Sequence, residues 1–409
     1  MRDQQFEHVT SKAWAIAAVA VMLVGHCWAA SNIKLVYSFT GGNDGGDPAT
    51  ALTFDQSGNA YGTTVTGGDF GCGTVFQLTP SGGHFTESVL FSFDCFDSGK
   101  NPYGGVILDS KGNLYGTTVA GGSGGICAGD GCGLVYMLSN VGGTWQETPM
   151  YNFTGGDDGF GPGGALISDG NSNFYGTTPD GGADGVGVVY QISPVRGGGW
   201  KQTVIHTFTG GDDGAVGSLG SLLMDKAGNL YGVTELGGAS GAGTAFRMSP
   251  AQGGWTMTSL YAFKGQPDAA FPYGGLTADA SGNLFGTTYF GGQNGAGAVF
   301  KLARTGKKEV VLYSFKGGTD GSNPTSTLVF DAAGNLYGTT STGGNPGCDC
   351  GTVFELSPSH GERILHRFGE TPDGGYPYYG LTPDPNGDLY GTTASGGSNT
   401  QGVVFKFTP

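Results

Sequence analysis

The 409-residue chain carries 84 Gly and 18 Pro, about a quarter of all positions, a level that without periodicity would describe a disordered chain. Its 12% aromatic content, with 18 Tyr, 25 Phe and 5 Trp, argues the other way, so the glycines punctuate short packed elements. A net charge of −15 excludes binding through clustered Lys and Arg, and no nucleic-acid partner is expected.

At the N-terminus, Arg2 and Lys12 precede the uncharged run Ala13 to Gly25, with Ala29, Ala30 and Ser31 behind it. The run is short for a bilayer span of roughly 20 residues. Residues 1–30 therefore read as a signal peptide cleaved after Ala29 or Ala30, and 31–409 as the mature chain. His26 before Cys27 argues against lipidation. No later segment approaches membrane-spanning length, so a secreted or periplasmic protein with no membrane partner is expected. Without Cys27 six cysteines remain, an even number that reads as disulfides: Cys72, Cys95, Cys127, Cys132, Cys348 and Cys350.

Beyond the leader the chain repeats. Tyr61-Gly62-Thr63-Thr64 recurs from Tyr115, Tyr175, Tyr231 (Tyr-Gly-Val-Thr), Phe285 (Phe-Gly-Thr-Thr), Tyr337 and Tyr390, at spacings of 54, 60, 56, 54, 52 and 53 residues. Units of that size without helical periodicity fit a radial array of small sheets better than a solenoid. In the fourth unit the predicted strands are a (222–225), b (229–234), c (243–248) and d (257–263), with polar and apolar residues alternating in c and d. A d-type strand at 35–39 precedes the first a strand, and the chain ends on a c-type strand at 402–407. Seven of each type are present only if the N-terminal strand completes the last blade, which leaves no open sheet edge. The predicted fold is all-β: a seven-bladed β-propeller of four antiparallel strands per blade, closed by both termini.

Two sets of aspartates recur. One ends each a strand (Asp55, Asp109, Asp169, Asp225, Asp279, Asp331 and Asp384) in a short Asp-x-x-Gly-Asn-like segment suited to a tight hairpin. The other, Asp44, Asp158, Asp213, Asp268, Asp320 and Asp373, follows strand d in six blades, with Ser98 in the seventh. The d–a and b–c loops share one face in a meander, so these six carboxylates are expected around one channel mouth. There they form Asx turns or hold a cation, calcium being the candidate. Tyr103, Tyr273 and Tyr378 stand at the entrance of three a strands where the other blades have Ala49, Gly163, Leu219 and Thr325. Glu235 replaces the Val, Pro, Tyr, Ser or Ala found elsewhere after the repeated Thr pair. Asymmetry in a repeated frame is where a specific contact can be built, and aromatic faces with polar rims suit sugars. His206 and His366 fill a strand-d slot held by Tyr37, Tyr151 and Tyr261, and read as packing residues. No phosphate loop and no zinc-binding pair of His is present. The loop assignment also predicts the pairs Cys72–Cys95, Cys127–Cys132 and Cys348–Cys350.

The runs Gly334-Asn335-Leu336-Tyr337-Gly338-Thr339-Thr340, Gly343-Gly344 and Gly351-Thr352-Val353-Phe354-Glu355-Leu356 resemble the Gloeo/Verruco (GloVer) repeat of exported bacterial proteins across nearly the whole mature chain. The resemblance implies a propeller-like extracellular fold with a choice of C-terminal anchors, and supplies no catalytic residue. Ending at Pro409 directly after strand c, this chain is expected to be released or periplasmic. The hairpin is also similar to those of gluconolactonase-like and NHL propellers. The expected function is a monomeric, non-catalytic binding propeller whose partner is a carbohydrate or another extracellular macromolecule. The alternative is an extracellular metal-dependent hydrolase or lactonase.

Overall fold

The computed structural model describes residues 33–48, 50–127, 129–217, 220–306 and 308–409. The leader expected at 1–30 lies outside the described residues, as do Ala49 and Leu219. Seven antiparallel sheets follow in order, the first built from Thr53–Phe54, Ala60–Thr64, Thr74–Ser81 and His84–Ser92 as strands a to d. The last combines Thr382–Pro383, Leu389–Thr393 and Val403–Phe407 with the N-terminal Ile33–Ser38. Ile33 pairs with Phe407 and Ser38 with Val403, so both ends of the chain complete one blade. The fold is the expected seven-bladed propeller.

The fourth and fifth blades carry one further short strand each, Ala215–Gly217 and Ala269–Pro272, paired to an extension of strand b. In the other blades the equivalent contact is a single bridge, such as Gly46 to Thr66 or Lys100 to Ala120. Strand b runs longer in those two blades, over Leu230–Leu236 and Leu284–Gly291, and this length makes the bridge a strand.

Burial explains the composition of the strands. Strand c is covered on both faces by neighbouring blades and reads as a nearly unbroken apolar run, Thr74-Val75-Phe76 and Leu78 being buried. Strand d is outermost and alternates exposed with half-buried residues. Every c–d pair slips register at the same place, for example between Val75 and Phe76, a repeated bulge that adds twist.

Blade contacts repeat with equal regularity. A fully buried Phe following strand d meets the strand-c ring of the next blade edge to face, as Phe39 to Phe76, Phe93 to Tyr136 and Phe315 to Phe354, with centroids 5.1, 5.2 and 5.1 Å apart. The Gly of Tyr-Gly-Thr-Thr lies beneath that ring: a Cβ on Gly338 would come 2.7 Å from Phe354 Cζ. The first Thr ties adjacent blades together. Thr63 donates its hydroxyl to the Pro102 carbonyl at 2.7 Å, Thr339 to Pro377 at 2.9 Å, and Thr392 across the closing seam to Thr50 at 2.8 Å. The second Thr closes its own loop, as Thr64 Oγ1 to the Thr66 carbonyl at 3.0 Å.

Candidate functional site

The a-strand aspartates are hairpin formers. Asp331 Oδ1 accepts the backbone N–H groups of Ala333 and Asn335, and Oδ2 accepts Asn335 Nδ2 and the Tyr337 hydroxyl. Burial opposes the charge, but these bonds outweigh it and hold the carboxyl below its usual range.

The six d–a loop aspartates also turn back on their own loops. Asp158 accepts the Tyr151 hydroxyl and the Thr154 N–H, both at 2.8 Å. Asp44, Asp268 and Asp320 repeat this with Tyr37, Tyr261 and Tyr313. Asp213 and Asp373 take His206 and His366 instead, at 3.1 and 2.7 Å. In the seventh blade Ser98 donates to Asp94. The structure ties these carboxylates to the outermost strand, and none of them lines the axial cavities described below. Among the described residues no three His, Cys, Asp or Glu side chains converge as a metal-ligand set.

Four strand-d acids join this outer zone. Glu87, Glu147, Glu309 and Glu362 each have a buried Oε1 without a partner. Burial, and then the neighbouring carboxylates of Asp44, Asp94, Asp268 and Asp320, push them up to about 7, 7, 8 and 7. Their signal in the sequence was a shared slot six residues before the buried Phe that follows strand d, but the partner carboxylate belongs to the preceding blade.

All three predicted disulfides are formed, Cys72–Cys95, Cys127–Cys132 and Cys348–Cys350, with Cα separations of 5.3, 5.4 and 5.2 Å. The first joins a b–c loop to a d–a loop, so both loop types share one face, as expected.

On that face Tyr103, Tyr273, Tyr378 and Glu235 line one cavity of about 630 Å³, together with Asp47, Tyr289, Tyr379, Phe271, Phe290, Leu236 and Thr325. Tyr103, Tyr273, Tyr378, Tyr379 and Thr325 also line an axial cavity of about 260 Å³ beneath it, so the tyrosines mark a waist in the channel. Below that waist glycines bring blades together: a Cβ on Gly220 would lie 2.3 Å from the Gly275 nitrogen. Tyr379 occupies the slot that holds Thr50, Gly104, Gly164, Gly220, Gly274 and Ser326 in the other blades, and so intrudes into the channel. Thr325 donates its hydroxyl to the Tyr378 carbonyl at 2.7 Å and fixes that segment. Tyr289 packs on Tyr273 and Phe290, with centroids 6.3 and 4.7 Å away.

Asp47 stands in a second repeated slot, with Asn101, Gly161, Val216, Phe271, Asn323 and Tyr376, all at positive φ. The cause is long-range: Asp47 N–H donates to the Gln401 carbonyl and its own carbonyl accepts Val65 N–H, a peptide clamped between two blades. Asp47 Oδ1 is buried without a hydrogen-bond partner, and burial alone pushes the carboxyl up to about 6. Burial also raises Glu235. Tyr273 is pushed up to about 12 by burial and then by Glu235 and the surrounding tyrosines. Tyr103 rises through burial and then Asp47. The two carboxylates thus act on different tyrosines of the same cavity wall, Glu235 on Tyr273 and Asp47 on Tyr103. A depression of about 580 Å³ between the first and last blades is built from the hairpins common to every blade and lacks this asymmetry.

The fold and its asymmetric mouth define a disulfide-stapled seven-bladed propeller. The chain belongs to the Gloeobacter/Verrucomicrobia repeat family, whose repeat matches residues 27–128, 123–280 and 220–409. No curated protein matches the chain. It is similar to a Bacteroides uniformis structure provisionally named 6-phosphogluconolactonase, at 15% identity and TM-score 0.51 over 81% of this chain and 88% of that one. A Dyadobacter fermentans protein of unknown function matches at 13% identity and TM-score 0.46, over 81% and 96%. At such identity the likeness shows the fold alone.

Proposed function

We propose that this chain is an exported, non-catalytic binding propeller that takes a carbohydrate unit into the tyrosine-lined axial mouth. One observation carries the reading: Tyr103, Tyr273 and Tyr378, the aromatics that break the repeat, line the same cavity. Flat apolar faces with hydroxyl rims stack on sugar rings while leaving polar edges for hydrogen bonds. Three disulfides support an oxidising compartment, in keeping with the leader read at residues 1–30. No helix among the described residues is long and apolar enough to cross a membrane. A metal-dependent hydrolase needs several converging oxygen or nitrogen ligands with an open position, and no such set among the described residues supports that alternative.

The test is a glycan screen on residues 31–409, with and without calcium, followed by titration of any hit. Saturable binding lost in Tyr273→Ala and unchanged by calcium is the expected result. Turnover of a lactone or glycoside, or hits that survive loss of all three tyrosines, would overturn it.

A further inference from the structure

The carboxylates of the framework and those of the mouth have different neighbours. In the outer zone a buried acid sits beside a second carboxylate or under hydroxyl and N–H donors. Asp47 has neither on its Oδ1, although its backbone is clamped and the side chain stays at the cavity wall. No Lys, Arg or His lines the cavity, so nothing in it offsets Asp47 and Glu235. The remaining wall is aromatic, and the negative faces of such rings attract a cation held within about 6 Å. An isolated buried carboxylate oxygen costs stability, which makes a cavity carrying Asp47, with the half-buried Glu235 in the same wall, a candidate for a ligand that supplies the missing charge.

Building on the binding reading above, we propose that the saccharide recognised here carries a positively charged amine, seated among Tyr103, Tyr273 and Tyr378 with Asp47 and Glu235 as its counter-ions. The cavity offers acceptors and ring faces, which an ammonium group with several N–H donors satisfies at once. A neutral sugar would leave Asp47 Oδ1 desolvated and short of charge. An anionic sugar would be repelled.

The experiment uses one glucosamine oligomer in three forms: free amine, N-acetyl and N-trimethyl, titrated against residues 31–409 by calorimetry. The charged forms should bind about tenfold or more tighter than the acetylated one. Asp47→Asn should erase that preference by bringing the affinity of the charged forms down to that of the acetylated one, and Glu235→Gln should reduce it part of the way. Melting curves of both variants confirm folding, and either variant alone suffices if the other fails to fold. Equal affinity for all three forms would overturn the charge inference and leave the saccharide reading intact. If none of the three binds, the saccharide reading fails, and choline then decides the matter. Choline binding that Asp47→Asn abolishes would retain charge recognition without a sugar, and its absence would end both.

Discussion

Asp331 and Asp47 are both loop aspartates of a repeating frame, yet their surroundings are opposite. Asp331 receives two backbone N–H bonds, an amide and a tyrosine hydroxyl. Asp47 Oδ1 receives nothing, and burial drives its carboxyl up to about 6. The first lies in a hairpin whose chemistry recurs around the ring, the second at a mouth where the blades differ. The hairpin aspartates stabilise the fold, whereas the desolvated Asp47 costs stability when charged. A change in the frame should therefore lower stability and spare binding, and a change at the mouth should do the reverse.

The largest effect should come from the blade contacts. Phe354→Ala removes a fully buried ring packed edge to face against Phe315 and leaves a cavity, and should cost about 3–5 kcal/mol in denaturant unfolding. Tyr273→Ala, at the mouth, should abolish ligand binding with a far smaller shift in melting. Equal destabilisation by both would break the comparison. Next in size, Asp331→Ala leaves Asn335 and Tyr337 without their acceptor and should cost about 1–2 kcal/mol. Asp47→Asn carries the opposite sign. Its raised pKa means that the folded chain holds a proton the unfolded chain has released, so stability falls as pH rises from 3.8 through about 6, and the variant should melt higher than the parent at pH 8.

The same sign applies to the four strand-d glutamates. Their folded values of about 7 to 8 exceed the ordinary 4.5, so the parent should melt higher near pH 5 than near pH 8. Replacing all four with Gln should flatten that profile, and a profile unchanged by the replacement would remove the Glu–Asp pairs as its cause. The smallest effect is a repair. Val233 is the one copy of the first repeated Thr that cannot donate to the next blade. Val233→Thr should therefore be neutral to stabilising by up to about 1 kcal/mol, read in the same unfolding assay.

What was legible in the sequence divides along the same line. The recurrence of Tyr-Gly-Thr-Thr, the strand offset at the two ends, the cysteine pairs and the irregular Tyr103, Tyr273, Tyr378 and Glu235 all follow from local spacing. The loop aspartates were ambiguous between turn and ligand, because their tyrosine or histidine partner seven residues upstream is reached only once strand d and its loop are built. Asp47 was missed because its left-handed conformation is set by hydrogen bonds to Gln401 and Val65, one of which spans nearly the whole chain. Tyr379 was legible in principle, as the large residue in a slot otherwise filled by Gly, Ser and Thr. That it meets Tyr103 and Tyr273 is a property of the closed ring, in which distant blades face each other across the axis.

The seam between Ile33–Ser38 and Val403–Phe407 sets an order of assembly. Six blades are built from hairpins between strands close in sequence, which can form as the chain emerges from a ribosome or a translocation pore. The seventh waits for residue 407, leaving strand Ile33–Ser38 unpaired for the whole of synthesis. Tyr378 and Tyr379 sit in this last blade and line the cavity together with Tyr103 and Asp47 from near the start, so the mouth does not exist until the seam has closed. A chain whose seam is still open thus carries no partly formed binding site.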